Sequence, residues 1–323
     1  MTSIYLVRHA EAEGNAYRRI HGQYNSLITP NGLRQIAALE RRFAAVPVDA
    51  CYASDLYRTC KTATSVYVPK HLSLQTDARL REINLGRWED QPFGYLEQFE
   101  PERMEQFNRD AQHWSVEGSE TWPQYTGRML AALREIAVRH DGQTVAIFTH
   151  GCVLRGLQTI LLGGQTPPYC DNTAVSHLTY DGAFHIDYLN DTSHLTPDIS
   201  TFERQKWWRQ FGDKRDFNLW FRPCEPDCYE ACLRDTPVGL VRLGELDAQT
   251  GLILDLRLDE DRRGKRLGEQ LIGCAVCELR RAGKSMLRVN LPPDDPAYGY
   301  FRYFGFTPTT GGLERSIAVP QRP

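Results

Sequence analysis

The chain has 323 residues, 41% of them hydrophobic, which is enough for two domains with separate cores. Its 38 Lys and Arg against 41 Asp and Glu leave a net charge of −3. That balance gives no support to a nucleic-acid role, and no apolar stretch approaches the length of a membrane span, so neither nucleic acid nor membrane is expected as a partner.

The first apolar run, residues 4–7, reads as a buried strand starting near Ser3, which leaves no room for a leader peptide. It delivers Arg8 and His9 at its C-terminal end, where open α/β sheets place ligands. Arg8 offers a planar fork of donors for two phosphate oxygens, and a neutral His9 offers a lone pair that can take a phosphoryl group. Alone, an Arg-His pair is more often an ordinary surface pair. Three further segments change that reading. Residues 48–53 form a short strand pattern followed by Ser54-Asp55-Leu56-Tyr57-Arg58-Thr59. Ser54 or Asp55 is expected to cap a helix running through residue 63, with Arg58 in its first turns beside Arg8. Residues 80–89 supply Glu82 as candidate proton donor for a leaving oxygen; the plainer alternative pairs Glu82 with Arg81 or Arg87. Residues 145–151 are a second buried-strand pattern ending in His150-Gly151, with a helix expected from residue 152. The electropositive helix start suits an anion, and Gly151 lets backbone approach it.

In order along the chain stand Arg-His-x-Glu-x-x-x-Asn as Arg8, His9, Glu11 and Asn15, then Ser-Asp-Leu-x-Arg-Thr, Arg-Glu-Ile-x-x-Gly-x-Trp-Glu and Thr-His-Gly. Residues 22–35 and the Ser119-Glu120-Thr121 helix start with Arg128 add weaker matches, Asn25 and Leu27 replacing the usual Asp and Pro. Together, over residues 1–195, these segments resemble the histidine phosphatase, or phosphoglycerate-mutase-like, superfamily. The resemblance implies a three-layer α/β/α domain with a mostly parallel sheet. It also implies a metal-independent two-step transfer in which His9 becomes a phosphohistidine. Arg8, Arg58 and His150 would hold the equatorial oxygens, with Asn15 and the Gly151 N–H adding hydrogen bonds. Glu82 would protonate the leaving alcohol and then deprotonate the attacking water. His21 is a candidate substrate contact. His71, His113, His140, His177, His185 and His194 have no motif context and are read as structural or exposed.

Phosphatase and mutase share this chemistry. The first half lacks the long extra segments of phosphoglycerate mutases, which favours hydrolysis of a small phosphorylated metabolite over the mutase alternative. The cap between Glu82 and Thr144 carries Phe93, Tyr95, Phe99, Phe107, Trp114 and Trp122, expected to be mostly core with one or two at the pocket mouth.

A break is expected at residues 190–197, a polar stretch ending in Pro. Strand patterns occupy 217–222, 228–234, 238–246 and 252–258, with turns at 237–239 and 249–251. The basic loop Asp261-Arg262-Arg263-Gly264-Lys265-Arg266-Leu267-Gly268 opens a helix to Arg281, and residues 286–291 and 296–304 read as a strand and a short helix ending at Gly305-Phe306. A basic Gly loop entering a helix suits a pyrophosphate. In this order the elements resemble the GNAT N-acetyltransferase family over residues 198–323, a smaller α+β domain with a mostly antiparallel sheet. That resemblance implies acetyl-CoA at Arg263, Gly264, Lys265 and Gly268. Arg266 stands where the family has a second Gly, and Phe301 where it has the Tyr that protonates the CoA thiolate, with Tyr300 and Tyr303 as neighbouring substitutes. Residues 223–227 are too few for the two helices that normally shape the acceptor site, a gap that Trp207-Trp208 are candidates to fill. A reading of the whole chain from this side is an acetyltransferase or CoA-binding protein with a regulatory phosphatase half. The nine cysteines are odd in number and scattered, so a reduced, cytoplasmic setting is expected. Free thiols are preferred to a zinc site built from Cys224, Cys228, Cys232, Cys274 and Cys277, so no metal is expected. No oligomeric state is read from the sequence.

Overall fold

The computed structural model describes residues 1–205 and 213–321, so Trp207 and Trp208 lie outside the described residues. The first half is built on a six-stranded sheet of β1 (Thr2–Arg8), β2 (Ala50–Ala53), β3 (Leu74–Thr76), β4 (Thr144–Thr149), β5 (Val175–Tyr180) and β6 (Phe184–Asp191). Its order is β3-β2-β4-β1-β5-β6. The first four strands in that order run parallel, and β5 and β6 close one edge antiparallel. Alternate residues feed opposite faces, as strand geometry requires. Ile4, Leu6, Val145 and Ile147 join one core with the helices Trp122–Arg139 and Gly151–Leu161. Val7, Cys51, Ala53, Ala146 and Phe148 join another with the helices Pro30–Phe43 and Tyr57–Tyr67. The result is the expected α/β/α layering. The register of the two central strands sets the position of both motif histidines: Arg8 pairs with Thr149, so the ends of β1 and β4 present His9 and His150 side by side.

The second half has a seven-stranded sheet of β7 (Trp220–Glu225), β8 (Cys228–Leu233), β9 (Thr236–Glu245), β10 (Thr250–Leu258), β11 (Met286–Val289), β12 (Thr307–Thr309) and β13 (Gly312–Ser316). The order is β12-β13-β11-β10-β9-β8-β7, antiparallel throughout except for β10 with β11. Several expected boundaries move. β7 continues through Pro223, tolerated because β7 is an edge strand, and only Pro226-Asp227 turns the chain into β8. Pro237 and Gly239 lie inside β9 rather than in a turn; the turn falls earlier, where Arg234 takes a φ of 52°. The long helix begins at Gly268, after a short 3-10 turn at Glu260–Arg262. β12 and β13 go beyond the sequence expectation: of their eight residues only Gly312 and Leu313 are buried, too weak a pattern to read. Among the described residues no helix is long and apolar enough to cross a membrane.

The helix Gly268–Arg281 is buried between its own sheet and the first half. The Tyr17 side chain packs so closely on Gly273 that a Cβ there would come within 2.5 Å of it. Around this contact lie two buried carboxylates. Glu13, 1% exposed, accepts from Arg280 at 2.7 Å and from Arg315 at 2.8 Å. Burial pushes the Glu13 carboxyl up, but the Arg280 and Arg315 charges prevail and hold it below the usual range. Asp90 accepts from Arg19 at 2.9 Å and Arg281 at 3.0 Å, and the Cys277 thiol reaches its Oδ1. Removing one partner of a buried ion cluster strands the others, so Glu13→Ala should lower unfolding stability by about 3–5 kcal/mol. Urea denaturation measures it; a loss under about 1 kcal/mol, the scale of an exposed pair, would show that this cluster does not hold the halves together.

Candidate active site

His9 stands where β1 ends, 5% exposed. Its Nδ1 lies 2.7 Å from the Ala10 carbonyl oxygen, which can only accept, so Nδ1 carries the proton and the lone pair is on Nε2. Burial first, then the Arg58 and Arg8 charges, push its pKa well below the ordinary imidazole value. His150 is fully buried behind it, with ring centroids 5.2 Å apart. Arg58 Nε donates to His150 Nδ1 at 3.3 Å, so Nε2–H donates to Ser54 Oγ at 2.7 Å. The expected helix cap is therefore corrected: neither Ser54 nor Asp55 caps the helix Tyr57–Tyr67, whose N-cap position is Leu56 without a side-chain bond. The Ser54 hydroxyl is taken by His150, and Asp55 is paired with Arg81 at 2.5 Å.

Arg58 is anchored by Nη1 on the Tyr24 carbonyl at 2.9 Å and Nη2 on the Gly22 carbonyl at 2.6 Å. Gly22 turns there with a φ of +49°, a conformation few side chains adopt. Arg8 donates to the Cys170 carbonyl at 2.5 Å, while its Nε is buried without a partner. Gly151 packs on this guanidinium; a Cβ there would lie 3.1 Å from Nε. Glu82 pairs with neither Arg81 nor Arg87. Its carboxylate accepts from the backbone N–H groups of Val153 at 2.9 Å and Cys152 at 3.0 Å, at the start of the helix Gly151–Leu161. Asn15 Oδ1 accepts from Ala12 N at 3.1 Å and Asn172 Nδ2 at 3.2 Å. His21 contacts Ser26 Oγ at 2.9 Å, and burial lowers its pKa to about 3.

Arg8, His9, Asn15, His21, Arg58 and Glu82 all line one cavity of about 310 Å³. His150 and Gly151 sit one layer behind, His150 orienting Arg58 and Gly151 making room for Arg8. Sequence reasoning missed Asn172, which donates to the His9 carbonyl at 3.0 Å, and with it Tyr169, Phe202 and Gln205. The only signal for Asn172 is the polar triplet Asp171-Asn172-Thr173 leading into a buried strand.

In the second half the 263–268 loop is exposed at Arg263, Gly264 and Lys265. Gly264 takes a φ of 74° and Arg266 one of 56°, so the loop keeps a left-handed turn at the second position despite the side chain. These residues fit a pyrophosphate cradle before the helix that starts at Gly268. The thiol end fits less well. Phe301 is buried in the core, the Tyr300 hydroxyl is buried without a partner against Gly268, and the Tyr303 hydroxyl accepts from Arg204. Of the cysteines, Cys274 and Cys277 lie inside the helix Gly268–Arg281, and among the described residues no group of three or more His, Cys, Asp or Glu is placed to hold a metal.

Arg8 and His9 at the end of β1 and Arg58 from the helix Tyr57–Tyr67 thus meet in one cavity of an α/β/α domain. Residues 4–192 match the histidine phosphatase superfamily (branch 1), and the chain belongs to that superfamily. Residues 192–306 match the acetyltransferase (GNAT) family. The chain is 30% identical over 218 residues to the probable phosphoglycerate mutase GpmB of Proteus mirabilis, covering 64% of this chain and 100% of that one. It is 31% identical over 207 residues to the protein of the same name from Yersinia pestis, covering 60% and 95%. Bacillus stearothermophilus YhfR superposes with a TM-score of 0.57 at 33% identity, over 60% of this chain and 99% of that one. A mycobacterial glucosyl-3-phosphoglycerate phosphatase, solved with VO3, gives 0.54 at 22% identity over 59% and 99%, a likeness of fold.

Because His9 is depressed, it should remain neutral as pH falls from 7.5 to 5.5, where an ordinary imidazole would be about 90% protonated. Ring-nitrogen shifts of labelled histidines in the ligand-free protein measure this; a His9 ring that titrates between pH 6 and 7 would contradict the burial argument.

Proposed function

We propose that the first half is a metal-independent phosphomonoesterase acting on a small phosphorylated metabolite through a phosphohistidine. The observation that carries this reading is the His9 tautomer: Nδ1–H is spent on the Ala10 carbonyl, and Nε2 keeps its lone pair beside Arg8 and Arg58. His9 Nε2 attacks phosphorus; the N–P bond forms as the P–O bond to the leaving group breaks. Arg8 and Arg58 stabilise charge on the equatorial oxygens, with His150 holding Arg58 in place. Glu82 gives a proton to the leaving oxygen, then takes one from the water that cleaves the N–P bond. The two guanidinium groups supply the positive charge that a metal supplies elsewhere.

A phosphoglycerate-type mutase is the nearest alternative, favoured by the name of the Proteus mirabilis relative. It differs in that a second substrate hydroxyl, rather than water, accepts the phosphoryl group. For the second half we propose that Arg263, Gly264, Lys265 and Gly268 hold the pyrophosphate of acetyl-CoA, which when bound supplies an activated thioester. The nine unpaired cysteines support a reducing, cytoplasmic setting.

Hydrolysis of p-nitrophenyl phosphate in excess EDTA should proceed with wild type and fall by at least 10³-fold in His9→Ala, since the nucleophile is lost. Equal turnover by both proteins would remove His9 from the mechanism, and isomerisation driven by a diphosphorylated activator would favour the mutase. Calorimetric titration of the full chain with CoA should give saturable binding that Lys265→Ala weakens about tenfold, or 1.4 kcal/mol; no heat with wild type would overturn the CoA reading.

A further inference from the structure

The lining of the phosphatase cavity includes residues that come after residue 192, where the phosphatase match ends. Thr201, Phe202 and Gln205 belong to the stretch that leads to the second sheet, and all three line the cavity. This stretch is built in. Ser200 caps the short helix Thr201–Arg204 and its hydroxyl donates to Asp171 at 2.6 Å. Thr201 donates to Glu11 at 2.9 Å, Arg204 pairs with Glu11 at 3.2 Å, and Gln205 donates to the Asn15 carbonyl at 3.0 Å. From the other side the Tyr303 hydroxyl of the second half accepts from Arg204. Phe202 is thereby held with its ring centroid 6.0 Å from the Arg8 guanidinium carbon and edge-to-face with Tyr169 at 6.3 Å.

Leu85, Phe93, Phe107, Tyr169 and Phe202 give the cavity an apolar and largely aromatic share of its lining. Of the other arginines lining the cavity, Arg19 is buried on Asp90, and Arg18 lies 4.7 Å from the Phe93 ring centroid with its Nε on Asn218. A flat ring finds faces and edges to stack on.

We propose that Phe202, supplied by the segment joining the two halves, is a specificity-determining residue of the phosphatase site, and that the site selects phosphomonoesters whose leaving group carries a flat apolar ring. The proposal deepens the phosphomonoesterase reading and rests on it. It also means that the second half shapes the first half's substrate preference by holding the wall in place.

The test compares 2-phenylethyl phosphate with glycerol 1-phosphate and 3-phosphoglycerate, all primary alkyl esters, so that leaving-group reactivity is matched. With the full-length wild type, kcat/KM should favour the phenylethyl ester at least tenfold. Phe202→Ala should reduce that preference about tenfold, mostly through KM, and Phe202→Trp should retain it; matched melting temperatures show that each variant is folded. A preference for 3-phosphoglycerate, or a preference for the ring that survives Phe202→Ala, overturns the proposal. His9-dependent hydrolysis without ring preference sinks this inference and leaves the phosphatase reading standing, whereas no His9-dependent hydrolysis of any ester sinks the phosphatase reading itself.

Discussion

Seven residues after the first strand carry most of what this protein depends on. From His9 to Asn15, alternate side chains are divided among three surroundings. His9 and Asn15 enter the phosphate cavity, Glu11 is tied to the joining segment, and Glu13 is tied to the second half. Glu11 and Glu13 are 3% and 1% exposed. A carboxylate removed from water costs several kcal/mol unless donors surround it. Glu11 finds Thr29, Asn31, Thr201 and Arg204; Glu13 finds Arg280, Arg315 and the Leu27 N–H. The turn that follows His9 is therefore braced by residues as far as 302 positions away.

Within the cavity the same logic runs in reverse. Arg8 donates to the Cys170 carbonyl, and Arg58 to the Tyr24 and Gly22 carbonyls and to His150. Burial first, and then these guanidinium charges, push the His9 and His150 pKa values well below the ordinary imidazole value. One arrangement thus combines an attractive field for an anion with an imidazole that keeps a free lone pair.

Much of this was legible. An apolar run followed by Arg8-His9, and another followed by His150-Gly151, reveal strand ends because a sheet core tolerates no charge while a strand's C-terminal end does. What was not legible depended on tertiary partners. Ser54 looks like a helix cap until His150 claims its hydroxyl. Glu13 and Asp90 look like surface carboxylates because nothing local marks the arginines of a distant helix as their partners. Phe202 lies in a stretch without periodicity, so its place in the cavity depends on the anchors at Glu11 and Asp171. β12 and β13 are too short and too exposed to register as strands.

The helix Gly268–Arg281, covered on both sides, bears on how the chain is made. Synthesis releases the first half long before residues 268–315 leave the ribosome. Until then Glu13 lacks both of its arginines, Asp90 lacks Arg281, and the surface around Tyr17 faces water. The two halves differ in fold, yet the buried ion pairs of the first are completed only by residues of the second. Arg204, in the short helix that carries Phe202 into the cavity, likewise gains its Tyr303 contact only once those later residues are in place.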